Sequence, residues 1–346
     1  MANISSAKMI LRYYPYTIAL KHTFAISNNV RTTNPAMLVE LEYENIVGYG
    51  EASMPPYLGE TQETAAKFLS GINLEQFKNP FELETILSYV DAAAPGNQAA
   101  KAAIDIAFHD LIGKLLNKSW VDIWGYNREN TPFTSFTIGI DTPEIVEAKV
   151  KEAAEYKILK IKLGSELDKE IVETIIKVTD RPLIGDVNQG WNDKHYAIEM
   201  IEWCAENGFK LIEQPMPKEQ LDDIAWLTER SSIPIFADES VQRLSDIVKI
   251  NGAFDGINVK LMKSTGLREA KKMLELAKNL GLRLMLGCMT ETSCAISAAS
   301  HLAPLVEWAD LDGALLIEND KFSGTTIQNG KIVIQDKPGI GVKKLF

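Results

Sequence analysis

Short apolar runs recur along most of this chain, and one after another they end in a charged residue where a turn residue would be expected. In order they are LKIKLG with Lys160 and Lys162, LIGDVNQGW with Asp186, KLIEQP with Glu213, IFADES with Asp238, INVKLMKSTG with Lys260, and WADLDG with Asp310 and Asp312. Charges at successive strand ends are unfavourable unless they face one another, so the fold must gather those ends at one place. Eight candidate strands, over 133–140, 158–164, 182–188, 209–215, 233–240, 254–261, 282–287 and 307–313, start about 21 to 28 residues apart. That spacing fits a strand, a helix and two short loops. Intervening stretches such as TPEIVEAKVKEAAEYK and GLREAKKMLELAKNLG are amphipathic, and the second stops at Gly281, a helix C-terminal signal. The repeat predicts an α/β fold closed into a TIM-like barrel. An open doubly wound sheet would carry a glycine-rich phosphate loop after its first strand, and the chain has neither GxGxxG nor GxxxxGK[ST].

The remainder is organised differently. MILRYYPYTIAL, AMLVELEYE and IVGYGEA are β-rich, and ENIVGYG supplies a turn. HTFAISNNVRTTNP between them is polar enough to predict a loop, a candidate lid over 22–35. In GNQAAKAAIDIAFHDLIGKLLN, residues Ala99, Ala103, Ile106, Ala107, Leu111 and Leu115 define one apolar helix face. The predicted layout is an α+β domain over 1–125, a barrel over 126–318, and a final segment over 319–346. TTIQNG and KIVIQ in that segment read as a hairpin that returns to the first domain.

A net charge of -11 and a pI near 5.1 argue against a nucleic acid or an anionic membrane as the main partner. Cys204, Cys288 and Cys294 are odd in number and lack CxxC spacing, so they predict buried reduced thiols. His22, His109, His195 and His301 form no metal-binding pair; oxygen ligands would have to hold any metal, which favours Mg²⁺ over Zn²⁺. Neither a targeting segment nor a membrane span is read, so a soluble, cytoplasmic protein with a small-molecule partner is expected, and a homo-oligomer is left open.

At the carboxyl ends of three consecutive barrel strands stand Asp186, Glu213 and Asp238. Three like charges brought together repel unless a cation neutralises them, and a hard divalent ion such as Mg²⁺ suits such a set. One such acid alone reads equally well as a helix cap or a surface charge; three in register do not. Lys160 and Lys162 share a strand face pointing into the mouth. Lys260 ends the sixth strand, opposite the second, so Lys162 and Lys260 face each other across the site. Burial with a nearby metal is expected to pull their pKa values down toward those of useful bases. Lys263 reads as structural.

KIK, DVNQGW, IEQP, ADES and INVKLMKSTG, together with GYGEA and the AIDIAFHDLIGK helix, resemble the enolase superfamily in its muconate lactonizing enzyme subgroup, over nearly the whole chain. The resemblance implies an α+β capping domain over a (β/α)₇β barrel, and Mg²⁺ on Asp186, Glu213 and Asp238. It also implies Lys162 and Lys260 as the acid–base pair, with Lys160 polarising a substrate carboxylate. Such a pattern stabilises an enediolate formed by removing the proton α to a carboxylate. If the opposite lysine returns a proton, the result is epimerisation; a neighbouring leaving group gives elimination instead.

Subgroup members divide among cycloisomerases, o-succinylbenzoate synthases, N-acylamino acid racemases and dipeptide epimerases. Asp310 and Asp312 resemble the pair with which dipeptide epimerases, a family linked to peptidoglycan recycling, hold the substrate's free ammonium group. Succinylbenzoate and muconate offer no cation to such a pair. The Ala–Glu epimerases carry an arginine in the lid beyond the position of Phe24, and the aligned residue here is Asn29, with Arg31 close by. That predicts an Ala-Xaa dipeptide with a neutral or hydrophobic second residue such as Ala, in preference to Glu. An Ala–Glu epimerase, an o-succinylbenzoate synthase and a muconate cycloisomerase remain the alternatives. Thr137, Met289 and Glu291 are further candidates for the pocket border.

Overall fold

The computed structural model describes residues 8–26 and 29–345, with the side chains of 24–29 left aside. It opens with an antiparallel meander of β1 (Ile10–Ile26), β2 (Asn29–Tyr43) and β3 (Ile46–Ser53), in that spatial order. Glu44 and Asn45, both at positive φ (50° and 64°), make the two-residue turn from β2 into β3. That geometry matches the twist of a hairpin. Helices α1 (Gln62–Ser70), α2 (Leu83–Ala92) and α3 (Gln98–Leu115) follow. The predicted apolar face of α3 is buried, but so is nearly every residue from Ala99 to Gly113. The helix lies between β3 and the barrel. A Cβ on Gly50 would come within 1.9 Å of the Ala103 carbonyl oxygen, and one on Gly48 within 2.1 Å of that of Ala107. Bare backbone at these two positions is what lets α3 settle on the strand.

After the short α4 (Trp120–Ile123), eight parallel strands run in sequence order around one sheet. They are β4 (Ser135–Ile138), β5 (Ile158–Lys162), β6 (Leu183–Asp186), β7 (Phe209–Glu213), β8 (Ile235–Ala237), β9 (Gly256–Lys260), β10 (Arg283–Gly287) and β11 (Trp308–Asp310). A bridge between Thr134 and Ala309 brings the first strand against the last. All eight predicted strands are present. Between them lie α5 (Pro143–Glu152), α6 (Asp168–Ile176), α7 (Lys194–Glu206), α8 (Leu221–Thr228), α9 (Leu244–Ile250), α10 (Leu267–Asn279) and α11 (Ser293–Ser300). The N-terminal meander is tied to this barrel through Asp105 on α3, whose carboxylate accepts from the Leu267 and Arg268 amides at the start of α10 (2.6 and 3.2 Å). Those amides lack intrahelical partners, so the carboxylate satisfies them.

Strand periodicity builds the barrel in layers. Ile184, Leu211, Phe236 and Met285 form a separate buried cluster, flanked by Ile158 and Trp308. Side chains two residues on share that inward face, and those positions are Asp186, Glu213, Asp238, Lys160 and Asp310. An apolar floor therefore carries the charged layer.

The Thr326–Gln328 and Lys331–Val333 strands pair as a hairpin that bridges to Phe133 beside the barrel's first strand, while elsewhere in the final segment Ile340 N donates to Asp110 Oδ1 on α3 (3.1 Å), Lys344 pairs with Glu40 on β2 (2.6 Å), and the Phe322 ring lies 5.5 Å from that of Tyr49 on β3. The predicted lid loop over 22–35 needs correction. β1 extends to Ile26 and β2 begins at Asn29, with Phe24 opposite Arg31 and Ile26 opposite Asn29. Backbone pairing between antiparallel strands does not depend on apolar side chains, so a polar composition concealed a hairpin.

Candidate active site

The ladder register sets the site. Lys162 is aligned with Asp186, and Asp186 with Glu213; on the other side Gly287 is aligned with both Lys260 and Asp310. Asp186, Glu213 and Asp238 bring carboxylate oxygens within 4.8 Å of one another, all buried. Glu213 Oε1 accepts from Asn258 Nδ2 (2.8 Å), while Oε2 lies 2.8 Å from Lys160 Nζ without hydrogen-bond geometry. A buried carboxylate oxygen left without a hydrogen bond, in an all-oxygen cluster, fits a hard divalent cation. The backbone beside these acids is unusual. Asn188 (φ 46°), Gln189 (67°) and Gln214 (37°) all occupy the left-handed region, a form of strain that concentrates at functional sites. Gln214 uses the turn to hold the next strand end, its Oε1 accepting from Asp238 N (3.0 Å) and Ser240 N (3.1 Å).

The lysines interleave with the acids. Lys160 Nζ lies 3.0 Å from Asp186, 2.8 Å from Glu213 and 2.7 Å from Asp310. Lys162 Nζ donates to Asp186 Oδ2 (2.6 Å) and Asn188 Oδ1 (3.1 Å), and Lys260 Nζ to Asp238 Oδ2 (2.7 Å). Lys263, expected to be structural, reaches Asp238 Oδ1 (2.5 Å), Asp238 O (2.6 Å), Val241 O (3.1 Å) and Asn258 O (3.2 Å), which fixes that carboxylate from behind.

Burial opposes every charge here, and neighbours decide the outcome. Burial raises Asp186, but Lys160, Lys162 and Lys260 pull it down to about 2. Asp238 is likewise held far below the ordinary carboxylate range by Lys260 and Lys263. Glu213 goes the other way, to about 7, through burial and the charge of Asp186. Lys160 and Lys260 are pushed well above the ordinary lysine value, because their acid neighbours outweigh burial. Within the acid cluster itself Lys260 is held high, and positive charge added beside it would pull it down toward the range expected of a base.

On the other side of Lys160, Asp310 Oδ1 accepts from Ser135 Oγ (2.9 Å) and Asp312 Oδ2 from Thr137 N (2.7 Å). Lys160 holds Asp310 low against burial, whereas burial and Asp310 raise Asp312 to about 7. The pair therefore has acceptor capacity that no lysine consumes at Asp312. Thr137 and Met289 line the pocket. Glu291 stands behind it, buried and accepting from Met289 N (2.9 Å). The Asn29 backbone starts β2, and its side chain lies outside the described residues.

The meander supplies the rest of the rim. Arg31, on β2, lines the pocket, donates to Thr290 Oγ1 (3.0 Å) and lies 5.9 Å from the centre of the Tyr57 ring, while Tyr57 Oη contacts Met289 Sδ (2.9 Å). Asn188 and Cys288 also line it. Asn188 was recoverable from its place two residues after Asp186. Tyr57 in PPYLG and Cys288 carry no local signal.

Comparisons with known proteins place this geometry. Residues 13–125 match the mandelate racemase / muconate lactonizing enzyme N-terminal domain, and residues 144–344 match the enolase C-terminal domain-like family. An L-Ala-D/L-Glu epimerase of Bacteroides thetaiotaomicron is 60% identical over 339 residues, 98% of this chain and 88% of that one. A hydrophobic dipeptide epimerase of Enterococcus faecalis is 33% identical, over 94% of this chain and 96% of its own. Among solved structures, a dipeptide epimerase from Enterococcus faecalis V583 complexed with Mg and L-Leu-L-Tyr superposes with a TM-score of 0.89 at 31% identity, over 97% of this chain and 99% of the other.

Proposed function

Since the chain belongs to the mandelate racemase / muconate lactonizing enzyme family of the enolase superfamily, we propose that it is a Mg²⁺-dependent dipeptide epimerase inverting the α-carbon of the second residue. The observation that carries this reading is the Asp310–Asp312 pair. It lines the same pocket as Lys162 and Lys260, which stand on different strands, and Lys160 joins Asp310 to Asp186 and Glu213 of the three-acid cluster. A zwitterionic dipeptide matches both ends, its carboxylate toward the acids' cation and its ammonium toward the pair. The relatives named as dipeptide epimerases support it further.

Asp186, Glu213 and Asp238 would hold Mg²⁺. When bound, the ion supplies positive charge beside the substrate carboxylate as negative charge develops on it. Lys160, already among these acids, adds an ammonium at the same end. One of Lys162 and Lys260 takes the α-proton, and the other delivers a proton to the opposite face. Which acts first depends on the hand of the substrate, so the same pair serves both directions. Lys263 and Gln214 keep Asp238 in place throughout.

For the second residue, the preference for neutral side chains rested on Asn29. Arg31 on β2 is a described cation lining the pocket, and a guanidinium there suits a side-chain carboxylate. The 60% identical relative carries a matching name. The favoured substrate is therefore L-Ala-D/L-Glu. A dipeptide library incubated in D₂O with Mg²⁺ should show α-deuterium entering the second residue of Ala-Glu fastest. Faster entry into Ala-Ala would restore the neutral preference, and turnover of succinylbenzoate precursors with no dipeptide exchange would sink the epimerase reading.

A further inference from the structure

Beside the catalytic pocket, and sharing Thr137 and Leu316 with it, opens a second cavity of about 340 Å³. It lies between β1, β4, the end of α5 and the turn after β11. Its walls are apolar: Leu20, Phe136, Tyr156 and Leu315, with the Phe136 and Tyr156 rings 4.7 Å apart. Its rim is charged: Lys21, His22, Lys149, Glu152 and Glu155 border it, with His22 4.0 Å from Glu152 and Lys149 held by Asp141 outside the cavity (3.0 Å). Apolar walls with a polar edge characterise a side-chain pocket.

Position gives the cavity its meaning. Thr137 stands at the seam, and its amide fixes Asp312, the acid proposed to receive the substrate's ammonium. A dipeptide anchored there carries its first side chain on the carbon bonded to that nitrogen, so the side chain emerges at the seam. An alanine methyl, comparable with a water's share of roughly 30 Å³, would leave most of the cavity unfilled. We propose that this cavity is a subsite for a bulky apolar side chain on the first residue, so that the enzyme takes Leu- and Phe-first dipeptides as well as Ala-first ones. The proposal rests on the dipeptide epimerase reading and extends it to the other residue of the substrate.

The test compares kcat/KM for α-deuterium exchange with L-Leu-L-Glu and L-Phe-L-Glu against L-Ala-L-Glu, and with L-Leu-L-Ala against L-Ala-L-Ala, using the full chain with Mg²⁺. Two second residues are used so that the first-residue effect is read whatever the preference at the second. Leu- and Phe-first substrates within tenfold of their Ala-first partners, or better, are expected, since buried methylenes favour binding rather than oppose it. A larger loss at both second residues, with the Ala-first dipeptides still exchanging, overturns the subsite and leaves the epimerase intact. No exchange with any dipeptide overturns both. The Thr23→Trp variant, altered at the exposed cavity rim, should lower the Leu-to-Ala ratio of kcat/KM at least tenfold. An unchanged ratio in a variant with wild-type Tm also overturns the subsite.

Discussion

Asp310 and Asp312 are two residues apart and point inward together, yet their surroundings divide their work. Asp310 is engaged by Lys160 and Ser135, so its replacement also disturbs the lysine. The Asp312 carboxylate is held by Thr137 rather than by Lys160, and it is the cleaner probe of the ammonium site. Asp312→Asn keeps an oxygen for Thr137 N but removes the charge. Losing one partner of a buried charge pair costs about 2 kcal/mol or more, so kcat/KM for the dipeptide should fall on the order of thirtyfold, mostly through KM. An unchanged kcat/KM would mean that Asp312 does not hold the substrate's ammonium group. The pair was legible in the sequence because inward charges recur two residues past an inward apolar one. Lys263 was less so, since nothing local distinguishes a lysine clasping Asp238 from one on a loop; most of its partners lie on the segment from Asp238 to Val241.

At the level of elements, the barrel strands were legible and the hairpin was not. Each barrel strand is a buried apolar run with its own boundaries, whereas the ends of β1 and β2 pair through their backbones within a segment rich in Asn, Thr and Ser. The rim residues Arg31 and Tyr57 depend on that pairing and on a separate segment reaching over the barrel, which residue spacing does not encode. The contact of α3 with β3 was partly visible in GYGEA. Its glycines read as turn residues, yet Gly48 and Gly50 serve the strand's close approach to a helix backbone. Gly50→Ala places a methyl against the Ala103 carbonyl, and no side-chain rotation relieves a backbone contact. Overpacking of this kind should cost about 3 kcal/mol or more, read as a lowered Tm in thermal unfolding. A variant within 1 °C or so of wild type would mean that α3 shifts freely, against its burial on nearly every side.

Across the whole molecule, the meander and barrel meet on the loop that carries Met289 and Thr290, and one carboxylate governs the joint. Glu51, at the end of β3, accepts from Thr292 N (2.9 Å) and from Thr292 Oγ1, at the start of α11, while Ser53 Oγ donates to the Thr290 carbonyl (2.8 Å). Sequence analysis placed Glu51 in a family motif without a task, because its partner lies on the barrel's far strand-end loop. Burial raises Glu51 from the ordinary 4.5 to about 7, against the hydrogen bonds from Thr292. A carboxyl whose folded pKa exceeds its unfolded value binds its proton more tightly when folded. Its contribution is therefore complete below about pH 4.5 and is lost as pH rises through about 7, a change of at most about 3 kcal/mol. Glu51→Gln retains an acceptor for the Thr292 amide and does not titrate. With Mg²⁺ present in both samples, the drop in Tm between pH 5 and pH 8 should be smaller in Glu51→Gln than in wild type. Equal drops would show that Glu51 stays ionised at this joint and that its bonds to Thr292 outweigh its burial.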